Sequence, residues 1–417
     1  MIQAIGLLAY ILGTRSYFAL LHLAARFNNK AKRAVAGRKN WKHDLQNKVL
    51  TLNTERIWFH CASLGEYEQA KPVMEMIRAQ KPEVSIVVSF FSPSGYDIRK
   101  NDPLPDLVCY LPFDTAYNAR TFLRIIKPSK AVFVKYEFWH FFLRELNRRN
   151  IPVYLIAAHF RADQIFFRWY GTFYRTLLKR FHTIFCQFES DRQLLSHIRI
   201  PSFSHTGDTR YDRVIETVKS IQPISAVSVF KHDSALLVLG SSYAQEEKIT
   251  ADWLRTFNEQ VKIVVAPHEI EEQRLQEIER TFQPYGCVRY SGITETFSGR
   301  VLIIDNVGML SRIYQYADMA FIGGGFGTKG LHNILEALAF GCPVVFGPNH
   351  KKKFPESLMA EEKGVASTVT NAEELNSAWR TFISINSNSS GKNAKAIAFI
   401  QSHSGISERI YSYLYHK

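Results

Sequence analysis

The feature that most constrains this chain is an alternation, in two series, of short Val/Ile/Phe-rich runs with helix-like stretches of a dozen or more residues. The first series reads as strands at 56–62 ("RIWFHCA"), 85–91, 108–113, 131–138, 153–160 and 183–188. The second reads as strands at 235–242 ("ALLVLGSS"), 261–269, 301–306, 319–325 and 343–348. Strand–helix alternation of this kind places parallel sheets between helical layers, and two series predict two Rossmann-like α/β domains. A length of 417 residues suits two cores. The polar, Pro-containing segment 216–234 reads as their connection, and "SINSNSSGKN" (384–393) as a loop. The expected domains are residues 1–43, 44–215 and 216–417, with the last helix a candidate to pack back on the middle one. Ligands in such sheets sit at the carboxyl ends of strands.

The net charge of +14 suggests nucleic acid until it is located. Residues 1–43 hold eight Lys or Arg and no acid; subtracting those eight leaves +6 over the other 374 residues. The charge is therefore an N-terminal feature, and no nucleic-acid partner is expected. Ahead of it, "MIQAIGLLAYILG" is uncharged, and the apolar run resumes beyond Arg15. No basic region precedes it, which disfavours a cleaved signal peptide. Three readings remain: a helix crossing a bilayer obliquely, one lying in the interface with Lys30–Lys42 against anionic headgroups, or a core helix. Arg15 is costly at mid-bilayer, so the shallow anchor is preferred. Five dispersed cysteines without a C-x-x-C point to reduced thiols in a cytosolic compartment.

Two segments carry candidate chemistry. In "FIGGGFGTKGLHNILEALAFGCPVVFGP" (321–348), Gly323, Gly324 and Gly325 would let backbone approach a ligand, and a helix starting near His332 would offer N–H groups to a phosphate. Glu336, on the same face as Asn333, suits ribose hydroxyls; it would equally serve as a favourable N-terminal acid. In "FHCASLGEYEQAKP", Glu66 opens a helix directly after a strand, placed either to act as a general base or to cap that helix. Glu137 in "VKYEFWHFF" sits among apolar neighbours, where a buried acid needs a reason. No P-loop occurs, and no Asp-x-Asp to clamp a metal–diphosphate, so a metal-independent reaction without a cofactor is expected.

These pieces, in this order, resemble the Kdo (3-deoxy-D-manno-octulosonic acid) transferases of lipid A assembly. The likeness runs from "GRKNW" through "HCASLGEYEQAKP", "SFFSPSGY", "VKYEFW", "TGDTRYDRV", "GSSYAQEE" and "VAPHE" to "GLHNILEALAFGCPVVFGP". The resemblance implies a GT-B fold, two Rossmann-like domains facing a central cleft, with an N-terminal membrane-anchoring helix. It implies transfer of Kdo from CMP-Kdo to a lipid A precursor, lipid IVA, at the cytoplasmic side of the inner membrane, with anionic lipids as partners. Glu66 is implied as catalytic base, with Glu137 and Arg210 as transition-state stabilisers. Pro267, His268, Gly308, Met309, Asn333 and Glu336 are implied to hold the CMP. The chain departs from the family pattern at "VAPHE", which lacks an Arg, at Arg210 in place of Lys, at "KGLHN" in place of paired glycines, and at His140 in place of Pro. Two rival readings stand beside this one: a GT-B enzyme using another nucleotide sugar such as a UDP-sugar, and a non-enzymatic membrane-peripheral nucleotide-binding protein.

Overall fold

The computed structural model describes residues 2–257, 259–294, 297–350, 354–387 and 392–416. It divides into two compact units, Met1–Arg213 with Gly405–Lys417, and Val214–Ser404. The first contains a seven-stranded sheet of β1 (Arg56–Cys61), β2 (Ser85–Phe90), β3 (Leu107–Tyr110), β4 (Lys130–Val134), β5 (Val153–Ala158), β6 (Thr183–Cys186) and β7 (Phe203–His205). The second contains β8 (Ala235–Ser242), β9 (Val261–Pro267), β10 (Cys287–Arg289), β11 (Val301–Ile303), β12 (Met319–Ile322), β13 (Val344–Phe346) and β14 (Ala366–Thr368). Every adjacent pair is parallel, in the orders β3-β2-β1-β4-β5-β6-β7 and β10-β11-β9-β8-β12-β13-β14.

Each order reverses once, between β1 and β4 in the first sheet and between β8 and β12 in the second. At such a switch point the connections leave in opposite directions and open a crevice beyond the strand ends. The inner strands are mostly apolar and almost wholly buried because helices cover both faces. Trp58 packs against Phe122, Phe133 and Phe142 in the first unit, and Trp253 against Phe257 and Trp379 in the second.

Several strands stop short of their apolar runs, for local reasons. β4 ends at Val134 because Lys135 takes a left-handed backbone, φ 61°. β12 ends at Ile322, and the glycines after it form a loop. The edge strands β7, β10 and β14 were not expected; three residues are too few for a pattern. The connection 216–234 is largely helical, holding the end of helix Arg210–Lys219 and helix Ser225–Lys231. Of the expected loop 384–393, residues 384–387 close helix Ala372–Ser387, and 388–391 lie outside the described residues.

The N-terminal helix Ile2–Ala24 lies against the first unit by one face. Gly6 meets Phe173, the Tyr10 hydroxyl donates to Asp114 at 2.6 Å, and Phe18 stacks on Phe113 at 4.1 Å. Ile5, Leu8, Leu12, Leu20 and Leu23 point outward and are more than half exposed. Contrary to the expectation of a basic flank at the surface, the stretch after it is partly buried. Arg38 is buried, donates to the carbonyls of Leu111, Ala34 and Phe91, and lies over three aromatic rings. It fastens the segment to the fold and is not presented to headgroups, since a desolvated guanidinium must satisfy its donors internally.

Candidate active site

The switch point of the first unit carries two carboxylates. Glu66 lies in the first turn of helix Leu64–Gln80, directly after β1, and its Oε2 accepts from Ala62 N–H and from Ser63 N–H at 3.1 Å. It is the capping acid the sequence allowed, but not only that. Burial, then the neighbouring Glu137 charge, push its pKa up to about 7, against the opposing pull of His60 and the two N–H groups. A carboxylate that titrates there can accept a proton at neutral pH.

Glu137, after β4, is 8% exposed. The reason for its burial is on β1: His60 Nε2 lies 2.9 Å from its Oε2, and Trp139 Nε1–H donates to the same oxygen at 2.6 Å. Arg210 begins the helix Arg210–Lys219, with its Nε and Nη2 on the buried Asp208 carboxylate, both at 2.7 Å. That segment docks on the Glu66 helix, Thr209 donating to Gln69 O at 2.6 Å and Arg213 Nε to Glu68 at 3.2 Å. The fold thus brings Glu66, Glu137 and the Arg210 segment to one helix and one pair of strand ends.

At the switch point of the second unit, Tyr243 follows β8, His268 follows β9, and His332 lies in the loop beyond β12. Their rings cluster, His268 and His332 at 4.6 Å between centroids, and the Tyr243 hydroxyl lies 3.0 Å from His332 Nε2. Burial, then His268 and Lys329, bring the His332 pKa down to about 4, so the ring is neutral at physiological pH. Pro267 ends β9 opposite Ser242. Gly308, in a left-handed conformation, and Met309 precede the short helix Leu310–Ile313. Asn333 Nδ2 donates to Glu336 Oε1 at 3.0 Å, while its Oδ1 accepts from Leu335 N–H.

One expectation needs correction here. The helix is Leu335–Ala339, not one starting near His332; His332 N–H instead donates to Gly323 O at 3.1 Å, holding that residue in the loop. The glycines of the run are required by the loop itself. A Cβ on Gly323 would meet Ser241 O, one on Gly324 would meet Gly330 O, and one on Gly325 would meet Gly347 N, each within 2.4 Å. The glycines let the loop close on its own backbone, and Gly324 N–H is taken by Glu246 Oε1 at 2.8 Å.

A family profile described as 3-deoxy-D-manno-octulosonic-acid transferase (kdotransferase) matches residues 25–213. Over these residues the chain is similar to the Kdo transferases. Relatives extend the match into the second unit. The 3-deoxy-D-manno-octulosonic acid transferase of Aquifex aeolicus is 24% identical over 326 residues, 76% of this chain and 83% of that one. That of Rickettsia bellii is 24% identical over 374 residues, 86% and 85%. Among solved structures, the UDP-GlcNAc 2-epimerase of Neisseria meningitidis aligns with a TM-score of 0.62 at 13% identity, covering 87% of this chain and all of that one (100%). The epimerase of Methanocaldococcus jannaschii aligns at 0.60 and 16% identity, covering 87% and 99%. At those identities the likeness is one of fold: the chain is GT-B-like.

The site residues that the sequence pattern did not single out are His60, Ser89 and Trp139 in the first unit and Tyr243 and Glu246 in the second. His60 stands inside the strand motif "FHCA", where a lone histidine reads as core. Tyr243 and Glu246 stand in "SSYAQEE", quoted for likeness and not for chemistry.

Proposed function

We propose that this protein transfers Kdo from CMP-Kdo to a lipid A precursor, lipid IVA, at the cytoplasmic face of the inner membrane in lipopolysaccharide biosynthesis. The observation that carries the reading is Glu66: a half-buried carboxylate at a sheet switch point, lifted to about 7 beside Glu137, inside the segment that matches the family. Glu66 takes the proton from a glucosamine hydroxyl as that oxygen bonds to the anomeric carbon. The bond from that carbon to the CMP phosphate oxygen breaks, and its electron pair leaves with CMP. Glu137 and Arg210 stabilise charge as it redistributes, Arg210 through a guanidinium held in one orientation by Asp208. Pro267, His268, Gly308, Met309, Asn333 and Glu336 hold the CMP, with Glu336 on the ribose hydroxyls. The reaction is written without a metal or cofactor.

The anchor reading follows from helix Ile2–Ala24, long and apolar enough to cross a membrane but docked by one face. Its outward leucines enter the interfacial layer, with Lys30, Lys32 and Lys39, all exposed, towards anionic headgroups. The deciding experiment is turnover of CMP-Kdo with lipid IVA in detergent, beside thermal stabilisation by CMP and by UDP. Transfer, with stabilisation by CMP alone, is the expected result; stabilisation by UDP alone without transfer overturns the proposal.

A further inference from the structure

Resting on the reading of Glu66 as base, we propose that His60 is a positioning residue: its Nε2–H, in a tautomer selected by Ser89, holds the Glu137 carboxylate and fixes a second negative charge beside Glu66. The inference comes from counting protons along a buried chain. Ser89, on β2, is fully buried; its Oγ accepts from Trp58 Nε1–H at 2.8 Å and lies 2.9 Å from His60 Nδ1. Among the described residues Nδ1 is the acceptor that the Ser89 hydroxyl proton meets. Nδ1 is then unprotonated, and the ring hydrogen of the neutral imidazole sits on Nε2, aimed at Glu137 Oε2 at 2.9 Å.

The opposite tautomer would send Nδ1–H to the Ser89 carbonyl at 3.1 Å. It would strand the buried hydroxyl proton and leave two acceptors facing each other unless Glu137 itself were protonated. Trp139 Nε1–H, at 2.6 Å from Glu137 Oε2 and 3.0 Å from His60 Nε2, is spent on the carboxylate. The chain therefore runs from Trp58 to Ser89 to His60 to Glu137, with Trp139 donating at the same end. Along Trp58, Ser89 and His60 each donor then has an acceptor in order, and among the described residues the chain ends on the Glu137 carboxylate.

The other charged groups around this cluster are accounted for. Glu68, on the Glu66 helix, is paired with Arg99 and Arg213; the Cys61 thiol on β1 is raised by burial and then by Glu66, Glu137 and Glu68. His140 packs towards Tyr10 and Phe173, and Lys135 acts on Asp208. The fixed negative neighbour of Glu66 is Glu137, and the group that orients it is His60.

The test begins with the wild-type protein, without substrate. ¹⁵N shifts of the His60 ring at about pH 8 should report the Nε2–H tautomer; an Nδ1–H or doubly protonated ring overturns the inference and leaves the transferase reading intact. In Ser89→Ala, Nδ1 loses its donor, and the ring gains an alternative with Nδ1–H on the main-chain carbonyl. The Glu137 carboxylate is then no longer held beside Glu66, Glu66 feels less negative charge, and the acid limb of kcat/KM should move down by at least ~0.5 pH unit. A limb that stays in place in a folded Ser89→Ala protein shows a merely structural serine and overturns the proposal. Absence of any Kdo transfer by a protein with the Nε2–H ring counts against the transferase reading and not against the tautomer.

Discussion

Tyr10 and Asp114, 104 positions apart, share a 2.6 Å hydrogen bond that ties the N-terminal helix to the loop leading into the candidate site. Asp114 is 2% exposed and also accepts from the N–H groups of Phe141 and Phe142 at 3.1 Å, capping helix His140–Arg148. The Tyr10 hydroxyl in turn accepts from His140 N–H at 3.1 Å. This is a use for His140 that a proline, lacking the N–H, could not serve. Tyr10→Phe leaves a buried carboxylate short of a donor and should cost about 1–3 kcal/mol. His140→Pro, at a first helical position that tolerates proline, should cost less, about 1 kcal/mol. Urea denaturation checks both; an unchanged midpoint in Tyr10→Phe would mean the bond contributes nothing.

For Glu66→Gln, transfer should fall at least ~10²-fold while CMP still stabilises the protein. Stability should move the other way. The folded-state pKa of about 7 lies above the ordinary 4.5, so ionising Glu66 opposes folding. That penalty is absent below about pH 4.5, grows as the pH rises and is complete above about 7. Glu66→Gln should therefore melt higher than wild type at about pH 8 and alike at about pH 4. A variant that melts lower at the higher pH would show that capping outweighs the charge.

Removing Glu336 should act on the donor. Glu336→Ala takes away the proposed ribose contact and the partner of Asn333 Nδ2, so the KM for CMP-Kdo should rise by the equivalent of about 1–3 kcal/mol with the acceptor KM little changed. Equal changes in both would place Glu336 in the fold and not in the donor site.

The two faces of helix Ile2–Ala24 let the proposed anchoring be tested apart from folding. Deleting residues 1–26 removes the outward leucines but also uncovers Phe113, Phe173 and Asp114, so it should lose vesicle binding and melt lower. Leu8→Gln, Leu12→Gln and Leu20→Gln together touch only the outward face. They should weaken binding to anionic vesicles on the order of tenfold or more while leaving the melting temperature unchanged. A triple variant that melts early would mean that the outward face is packed against protein and not presented to lipid.

The long, mostly apolar strands and the Glu66 turn were legible because burial on both faces and a strand-end acid leave their mark within a few consecutive residues. What was not legible depends on partners far away in sequence. Glu137 looked like an unexplained acid until His60 was seen across the sheet, 77 positions earlier. Tyr10 looked like one more apolar residue of an anchor, and Arg38 like one more cation of its flank. "HNILEALAFG" has helical spacing throughout, yet its first residues are held in the loop by Gly323 O and by the Asn333 side chain. Local pattern sees periodicity; it does not see which backbone group is already taken.

The helix Ile406–Tyr415 packs on the Glu66 helix, and Asp212 accepts from the N–H groups of Gly405 and Ser407 at 2.7 and 2.6 Å. The first unit is thus closed by a segment that follows the whole of the second unit in the chain. On a ribosome, the second unit, Val214–Ser404, has all its strands before the first can be completed. Through that interval the Glu66 helix lacks one of its covering surfaces, and Leu414 and Ile410, buried in the finished protein, have yet to emerge. A nascent chain stalled near Ser404 therefore holds every strand of the second unit and an unsealed first unit, and emergence of Gly405–Tyr415 is the event that seals it.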